Sequence, residues 1–441
     1  MTQLLISGGH IIDPGQGIDE VGSILITGDR ITRVGGECSS EGVGRVLHAE
    51  GLMVCPGLID LHCHLREPGS EDKETIATGT RAAARGGFTT ICCMPNTEPP
   101  IDSRAMVEFV LKKAADEGVV RVLPIGCISK GRAGEELVDV AEMAEAGAVA
   151  LSDDGSPVSD ARLMSQALER SRLSNLLVID HCEDRALTRN GVMNKGVLSV
   201  QLRLEGTPSA AEEIVVARDI DLLQSVRGRV HIAHVSTAGA VDLVRCAKQR
   251  GIAVTAEATP HHLTMTEQRV VGYNTNAKVN PPLRTAEDVA ALILGINEGV
   301  IDIIATDHAP HTRADKACDF NSAAFGISGL ETALASVLSL VHSGLTPMAT
   351  MISRLTTGPA RLLDRSDIGT LTPGAWADVT VFDPQAEWVV EPSAFASKGK
   401  NTPLAGQTLK GKVMATVCSG QVVYVDERMR IETAGAGAPG G

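Results

Sequence analysis

The stretch GLIDLHCHLREPGSEDKET, Gly57 to Thr75, decides how the chain is read. It opens like a buried strand, with Leu58, Ile59 and Leu61 apolar, and then turns abruptly polar at His62, Cys63, His64 and Arg66. Residues two apart on a strand point to the same side, so His62 and His64 share a face and Cys63 points away from them. Arg66 continues that even spacing.

Working outward, short apolar runs alternate with longer Ala/Glu/Leu/Arg stretches such as TIATGTRAAARGG and EELVDVAEMAEAG, the pattern of βα units and a parallel sheet. The strand candidates are GLIDLH, FTTICCM, VRVLPIGC, GAVALSD, NLLVIDH, RVHIAH, IAVTAEA and VIDIIATD. Eight such units in roughly 310 residues suit a (β/α)8 TIM barrel better than the runner-up, an open doubly wound sheet. The flanks have another texture. LLISGGHIID and GSILITGDRITRVG near the start, and GAWADVTVFD and GKVMATVCSGQVVYVD near the end, read as antiparallel strands broken by Gly and Asp. The expected organisation is an N-terminal part of a small β domain over 1–54, a barrel over 55–365, the C-terminal part of the small β domain over 366–430, and a flexible tail over 431–441. The small domain is expected to be a β-sandwich formed from both termini.

Composition narrows the function. The 441 residues are 43% hydrophobic and carry a formal charge of −14 without long Lys/Arg runs, which argues against sequence-independent nucleic-acid binding, where a basic face has to neutralise phosphates. No uninterrupted apolar run reaches membrane-spanning length, and the N-terminus lacks the pattern of a signal peptide. Ten cysteines without framework spacing point to reduced thiols and a cytoplasmic protein.

Chemistry gathers at the strand ends: His62 and His64 on the first, Asp153 and Asp154 on the fourth, His181 on the fifth, His234 on the sixth and Asp307 on the eighth. In a barrel these carboxyl ends converge on one face. Burying so many ionisable groups together is costly unless a cation compensates. Imidazoles mixed with carboxylates favour zinc, ahead of manganese, cobalt or iron. Six ligands exceed one tetrahedral ion and suit two ions sharing a carboxylate and a water.

The blocks DLHCHLREPG, MPNT, SDDGSPV, DHCED, HIAHVST, VNPPLR and ATDHAPH together resemble the dihydroorotases of the amidohydrolase superfamily, in their bacterial zinc form. The resemblance implies two Zn2+ ions per subunit, the first held by His62, His64 and Asp307, the second by His181 and His234, with Asp154 bridging. VALSDDG has no lysine for the carboxylated-lysine bridge of other superfamily members, and Lys130 falls after the third strand. Asp153 is left as a strand-end cap or a partner of the ligands. Arg66, Asn96 and His311 are implied to bind the substrate carboxylate, Asn280 the ring, and the backbone at Phe325 and Gly326 the pyrimidine amide, with His64 also against the substrate.

The implied reaction is reversible cyclisation of N-carbamoyl-L-aspartate to (S)-dihydroorotate plus water, in de novo pyrimidine biosynthesis. In the hydrolytic direction an activated water attacks the ring amide carbonyl, and Asp307 takes its proton and returns it to the departing nitrogen. The segment HTRADKACDFNSAAFGISG is expected to form a loop over the pocket; the Ala-Pro that family members often carry before Phe-Gly is Ala323-Ala324 here. The alternatives are an allantoinase or hydantoinase, whose substrates lack the carboxylate, and a catalytically lost scaffold for aspartate carbamoyltransferase. A homo-oligomer, and an active enzyme that also assembles with that transferase, are the expected associations.

Overall fold

The computed structural model describes residues 3–433. Eight parallel strands form the barrel wall: β1 (Leu58–Cys63), β2 (Phe88–Cys93), β3 (Arg121–Gly126), β4 (Ala150–Leu151), β5 (Leu177–Asp180), β6 (Val230–Ile232), β7 (Val254–Ala258) and β8 (Ile303–Ile304). Each pairs with its sequence neighbour, so their order around the wall is their order in the chain. Every residue of β1, β2 and β5 is buried, as expected for strands covered on both faces.

The helices between them are started by side chains that sequence supplies at the right offset. Thr75 and Thr78 form a capping box at the helix Ile76–Arg85, and Thr237 caps Ala238–Gln249 three residues beyond His234. Ala82, Ala83 and Ala84 let the first of these helices lie close to the strands.

The wall closes differently from how it is built. Between β8 and β1 there is one isolated bridge, Cys63 with His308, and His64 N donates to His308 O at 2.9 Å. The rest of the closure is made by buried Asp60, which accepts from Thr306 N at 2.7 Å and Thr306 Oγ1 at 2.6 Å. Burial pushes its carboxyl up to about 7 against the lowering effect of these hydrogen bonds.

Strands from both ends of the chain share a nine-stranded sheet. Its pivot is Gln3–Asp13, which pairs with Arg45–His48 through its first half and with Met53–Pro56 through its second. The register shifts between Ile6 and Gly9, where Gly8 takes a φ of 72°. This bulge bends the strand so that it can serve two layers. Val379–Val389 then pairs with Met53–Pro56, joining the late strands to the early ones around a core of Ile6, Ile24, Ile26, Val379 and Val417. The expected fold class, a TIM barrel with a small β-sandwich formed from both termini, is the one found.

One boundary differs from the sequence expectation. Ile431–Thr433, assigned above to a flexible tail, pairs antiparallel with Arg45–Leu47, because Ile431 packs against the apolar layer of the small sheet. The remainder of that tail, 434–441, lies outside the described residues. Among the described residues no helix is long and apolar enough to cross a membrane.

Candidate metal centre and substrate pocket

At the carboxyl end of the barrel, His62 and His64 leave β1, Asp154 follows β4, His181 follows β5, His234 follows β6 and Asp307 follows β8. All six are buried. His234 and Asp307 have positive φ values of 32° and 44°, and Arg66 one of 60°. Such backbone is costly for residues other than glycine, and here it turns side chains at strand ends into the mouth.

Two groups of ligand atoms converge: His62, His64 and Asp307, and His62, Asp154 and His234. His64 Nε2 lies 3.1 Å from Asp307 Oδ1, and Asp154 Oδ1 lies 3.4 Å from His62 Nε2, 3.5 Å from His181 Nδ1 and 3.6 Å from His234 Nε2. His62 Nε2 and Asp154 Oδ1 are fully buried and have no hydrogen-bond partner among the described residues. Buried polar atoms are rarely left so.

The tautomers fit a metal. His62 Nδ1 is 2.7 Å from Glu257 Oε1, His64 Nδ1 is 2.8 Å from Asn96 Oδ1, and His181 Nε2 is 2.8 Å from Glu183 Oε2. Each acceptor suits a proton on the outer nitrogen, which would leave the inner one for a cation; at His181 that inner Nδ1 now lies 2.9 Å from His234 Nε2. Burial opposes the imidazolium of His181, yet Asp154 and Glu183 outweigh it and push its pKa up to about 10. Burial likewise opposes ionisation of Asp154, but the surrounding imidazoles hold its carboxyl well below the usual range. The cluster calls for positive charge, which a divalent cation supplies without protonating the ligands.

Asp153 and Lys130 have other roles. Asp153 accepts from Ile128 N at 2.8 Å and from Ser129 N, tying β4 to the turn after β3, and Lys130 is exposed and pairs with Glu136 at 2.6 Å. A third group, Asp180, Cys182 and Asp219, has its countercharge built in. Arg218 reaches the two carboxylates at 3.2 and 2.7 Å.

Above the ligands lies a cavity of about 300 Å³. His64, Arg66, Asn96, Asp154, His181, His234, Asn280, Asp307, His311, Phe325 and Gly326 all line it, and His62 sits beneath. Arg66 donates through Nε to Pro310 O at 3.3 Å, and among the described residues neither Nη is engaged. Several atoms of the other expected substrate contacts are already engaged within the protein. Asn96 serves His64 and, through Nδ2, Asp154 at 3.4 Å; Asn280 Nδ2 donates to Glu183 at 3.0 Å. Gly326 N donates to Lys278 O, and Gly326 O accepts from Asn401 Nδ2.

His311 is the sharpest case. Its Nε2 donates to Phe325 O at 2.7 Å, so its Nδ1 is a bare acceptor, buried without a hydrogen bond among the described residues and 3.7 Å from Asp315 Oδ2. Burial and the nearby Arg66 push its pKa down to about 3, so the ring is neutral. To donate to a carboxylate it has to release Phe325 O or take up a proton.

The first part of the chain, residues 51–240, matches the Dihydro-orotase-like family model. A protein of Pelotomaculum thermopropionicum named dihydroorotase is 51% identical over 430 residues, covering 97% of this chain and 100% of its own. One of Citrifermentans bemidjiense, also named dihydroorotase, is 50% identical over 422 residues, covering 96% and 99%. The chain belongs to the dihydroorotase family. Among solved structures, the L-hydantoinase (dihydropyrimidinase) of Arthrobacter aurescens superposes with a TM-score of 0.87 at 24% identity, covering 98% of each chain. The dihydropyrimidinase of Brevibacillus agri gives 0.84 at 21%, covering 96% of this chain and 95% of its own. At those identities the likeness concerns the fold.

Within this member of the dihydroorotase family, two residues at the centre had not been singled out from sequence. Glu257, at the end of β7, accepts from His62 Nδ1, from His231 Nε2 at 3.1 Å and from His234 N at 3.2 Å. Glu183 holds His181. The signal for Glu183 was its place in DHCED, two residues beyond a ligand; Glu257, in IAVTAEA, read only as part of a strand.

Proposed function

We propose that this chain is an active dihydroorotase that interconverts N-carbamoyl-L-aspartate and (S)-dihydroorotate in de novo pyrimidine biosynthesis. The observation that carries the substrate is Arg66, which lines the cavity that also holds the ligand cluster and whose two Nη groups are unengaged among the described residues. A fork of this geometry pairs with a carboxylate through two parallel hydrogen bonds. Hydantoin and allantoin have no carboxylate to offer it.

In this reading two Zn2+ ions are the resident cations: His62, His64 and Asp307 would hold one, His181 and His234 the other, and Asp154 would serve both. When bound, they would polarise the amide carbonyl and make a water acidic enough to attack at neutral pH. The protein's own groups do the rest. Arg66 anchors the carboxylate and so fixes the ring, with Asn280 and the Phe325–Gly326 backbone at its other edge. Asp307 takes the proton of the attacking water and delivers it to the ring nitrogen as the C–N bond breaks. Its carboxyl is suited to start ionised: burial opposes the charge, but His64 and His62 hold it below the usual carboxylate range. In synthesis the same group takes the proton from the closing amide nitrogen, and water leaves.

The association of copies is supported by an apolar surface. Val197 and Val200 are 75% and 77% exposed, and exposed Tyr273 reaches the end of the same helix through its hydroxyl, which bonds Leu202 O at 3.0 Å. Grouped exposure of this kind marks interfaces, in keeping with a homo-oligomer. Ten unpaired cysteines, seven of them buried, suit the reducing cytoplasm.

The deciding experiment is turnover of dihydroorotate beside hydantoin and allantoin, with metal content measured on the same sample. Turnover of dihydroorotate alone with zinc bound is expected. Turnover of the other two without dihydroorotate would overturn the substrate, and metal without any turnover would favour the scaffold.

A further inference from the structure

Against the outer side of His311 lies a second cavity, of about 450 Å³, whose lining includes Asn276, Arg313, Lys316, Lys398 and Lys400. None of its lining residues is acidic, although the chain as a whole carries a charge of −14. Such a concentration of one sign needs a reason.

The ammonium groups rest on carbonyls. Lys316 Nζ donates to Thr275 O at 3.1 Å, Lys278 O at 3.2 Å and Ala324 O at 2.6 Å; Lys400 Nζ donates to Phe395 O at 2.7 Å and Ser397 O at 2.6 Å; Lys398 Nζ donates to Glu71 O. Carbonyls satisfy hydrogen bonds but do not neutralise charge. An ammonium has three N–H groups and a guanidinium five. Lys316 is therefore fully used, Lys400 has one donor left and Lys398 two, while exposed Arg313 has no side-chain partner among the described residues. Lys316 is only 6% exposed, and burial together with Lys278 pushes its pKa down to about 7. A nearby anion would relieve that cost.

We propose that this cavity is a second anion site, taking a phosphate group, and that its occupancy alters substrate binding in the neighbouring metal pocket. Several cationic donors suit the three oxygens of a phosphate better than the two of a carboxylate. The volume is within the range of small-molecule sites, so the group can belong to free phosphate or to a larger phosphorylated metabolite. The link to the substrate is physical. His311 lines both cavities, and Lys316 holds the Ala324 carbonyl, next to the Phe325–Gly326 segment of the metal pocket. The coupling rests on the dihydroorotase reading; the binding does not.

The test uses the metal-loaded full chain, with inorganic phosphate and ribose 5-phosphate as probes, in the wild type and an Arg313→Ala/Lys398→Ala variant. Both side chains are exposed and outside the catalytic pocket. Equilibrium dialysis is expected to show saturable binding to the wild type, weakened at least about tenfold in the variant by loss of charge-assisted donors. Tighter binding of ribose 5-phosphate would point to a phosphorylated metabolite, and equal or tighter binding of phosphate to the free ion; either supports the site. The KM for dihydroorotate should shift with phosphate in the wild type only, with phosphate-free turnover unchanged in the variant. Equal binding by both proteins would place the anion at the metal centre and overturn the proposal, as would no binding at all. A raised phosphate-free KM in the variant without phosphate binding by the wild type would make the cavity an approach path for the substrate, also overturning it. If the wild type binds phosphate but does not turn over dihydroorotate, the functional reading fails and the anion site stands.

Discussion

His62 and Glu257 meet at 2.7 Å, and the same carboxylate holds His231 and the backbone of His234, so one buried acid links two ligand-bearing strands. Substituting Glu257→Gln leaves volume nearly unchanged but removes the charge that fixes His62 with its inner nitrogen bare. Metal affinity should weaken about 10- to 100-fold. Metal retained against a graded chelator, with far-ultraviolet circular dichroism as the check on folding, measures this; undiminished affinity would remove Glu257 from the centre.

Asp307→Asn removes the proton carrier. The value of kcat should fall at least about 100-fold, the scale of a lost general base. Thermal unfolding of the metal-loaded variant should remain close to that of the parent. Near-normal turnover in a zinc-replete sample would mean that another group moves the proton.

Arg66→Met keeps the length of the side chain and deletes the fork. A charged hydrogen bond contributes about 1.5–3 kcal/mol, so KM for dihydroorotate should rise about 10- to 100-fold. The KM for hydantoin, if any turnover is detectable, should not. An unchanged KM for dihydroorotate would assign the carboxylate to another residue.

Where the barrel passes into the small domain, Arg365 grips Asp367 at 2.6 and 2.8 Å and holds its pKa down to about 2. Because the folded value lies below the unfolded one of about 3.9, the contribution is present above pH 4 and is lost as pH falls through 2. Asp367 also accepts from Trp376 Nε1 at 2.9 Å, so tryptophan fluorescence reports the site. Acid titration should change that signal between pH 4 and 2, and Asp367→Asn should abolish this phase.

Removing metal should lower stability, since ligands that bind only the folded chain add RT ln(1 + [L]/Kd), about 4 kcal/mol at a thousandfold excess over Kd. Chelator followed by zinc should lower and then restore the melting temperature. A melt indifferent to both would contradict a resident ion.

The barrel was legible because eight apolar runs recur between helical stretches, and its chemistry because ligands sit where those runs end. The lengths were less so: β4 and β8 keep only two paired residues each, since the chain leaves the ladder early to deliver Asp154 and Asp307. The backbone turns at His234 and Asp307 leave no trace in sequence, as no glycine marks them. Glu257 was hidden for a different reason. Its role depends on strands adjacent in space, whereas in sequence it is one polar residue in a short strand. Asn96 and His311 were placed at the pocket, but only the folded structure reveals that each already has a partner.

The closure between β1 and β8 is the weakest stretch of the wall in hydrogen-bond terms, relying on Asp60 and Thr306 where other neighbours have a ladder. Directly above it stand His62 and His64 from one side and Asp307 from the other. An ion gripped by these three would rivet the seam of the cylinder. The bonds that prepare the reaction would then also keep the circle shut, so that loss of metal should loosen this junction before any other.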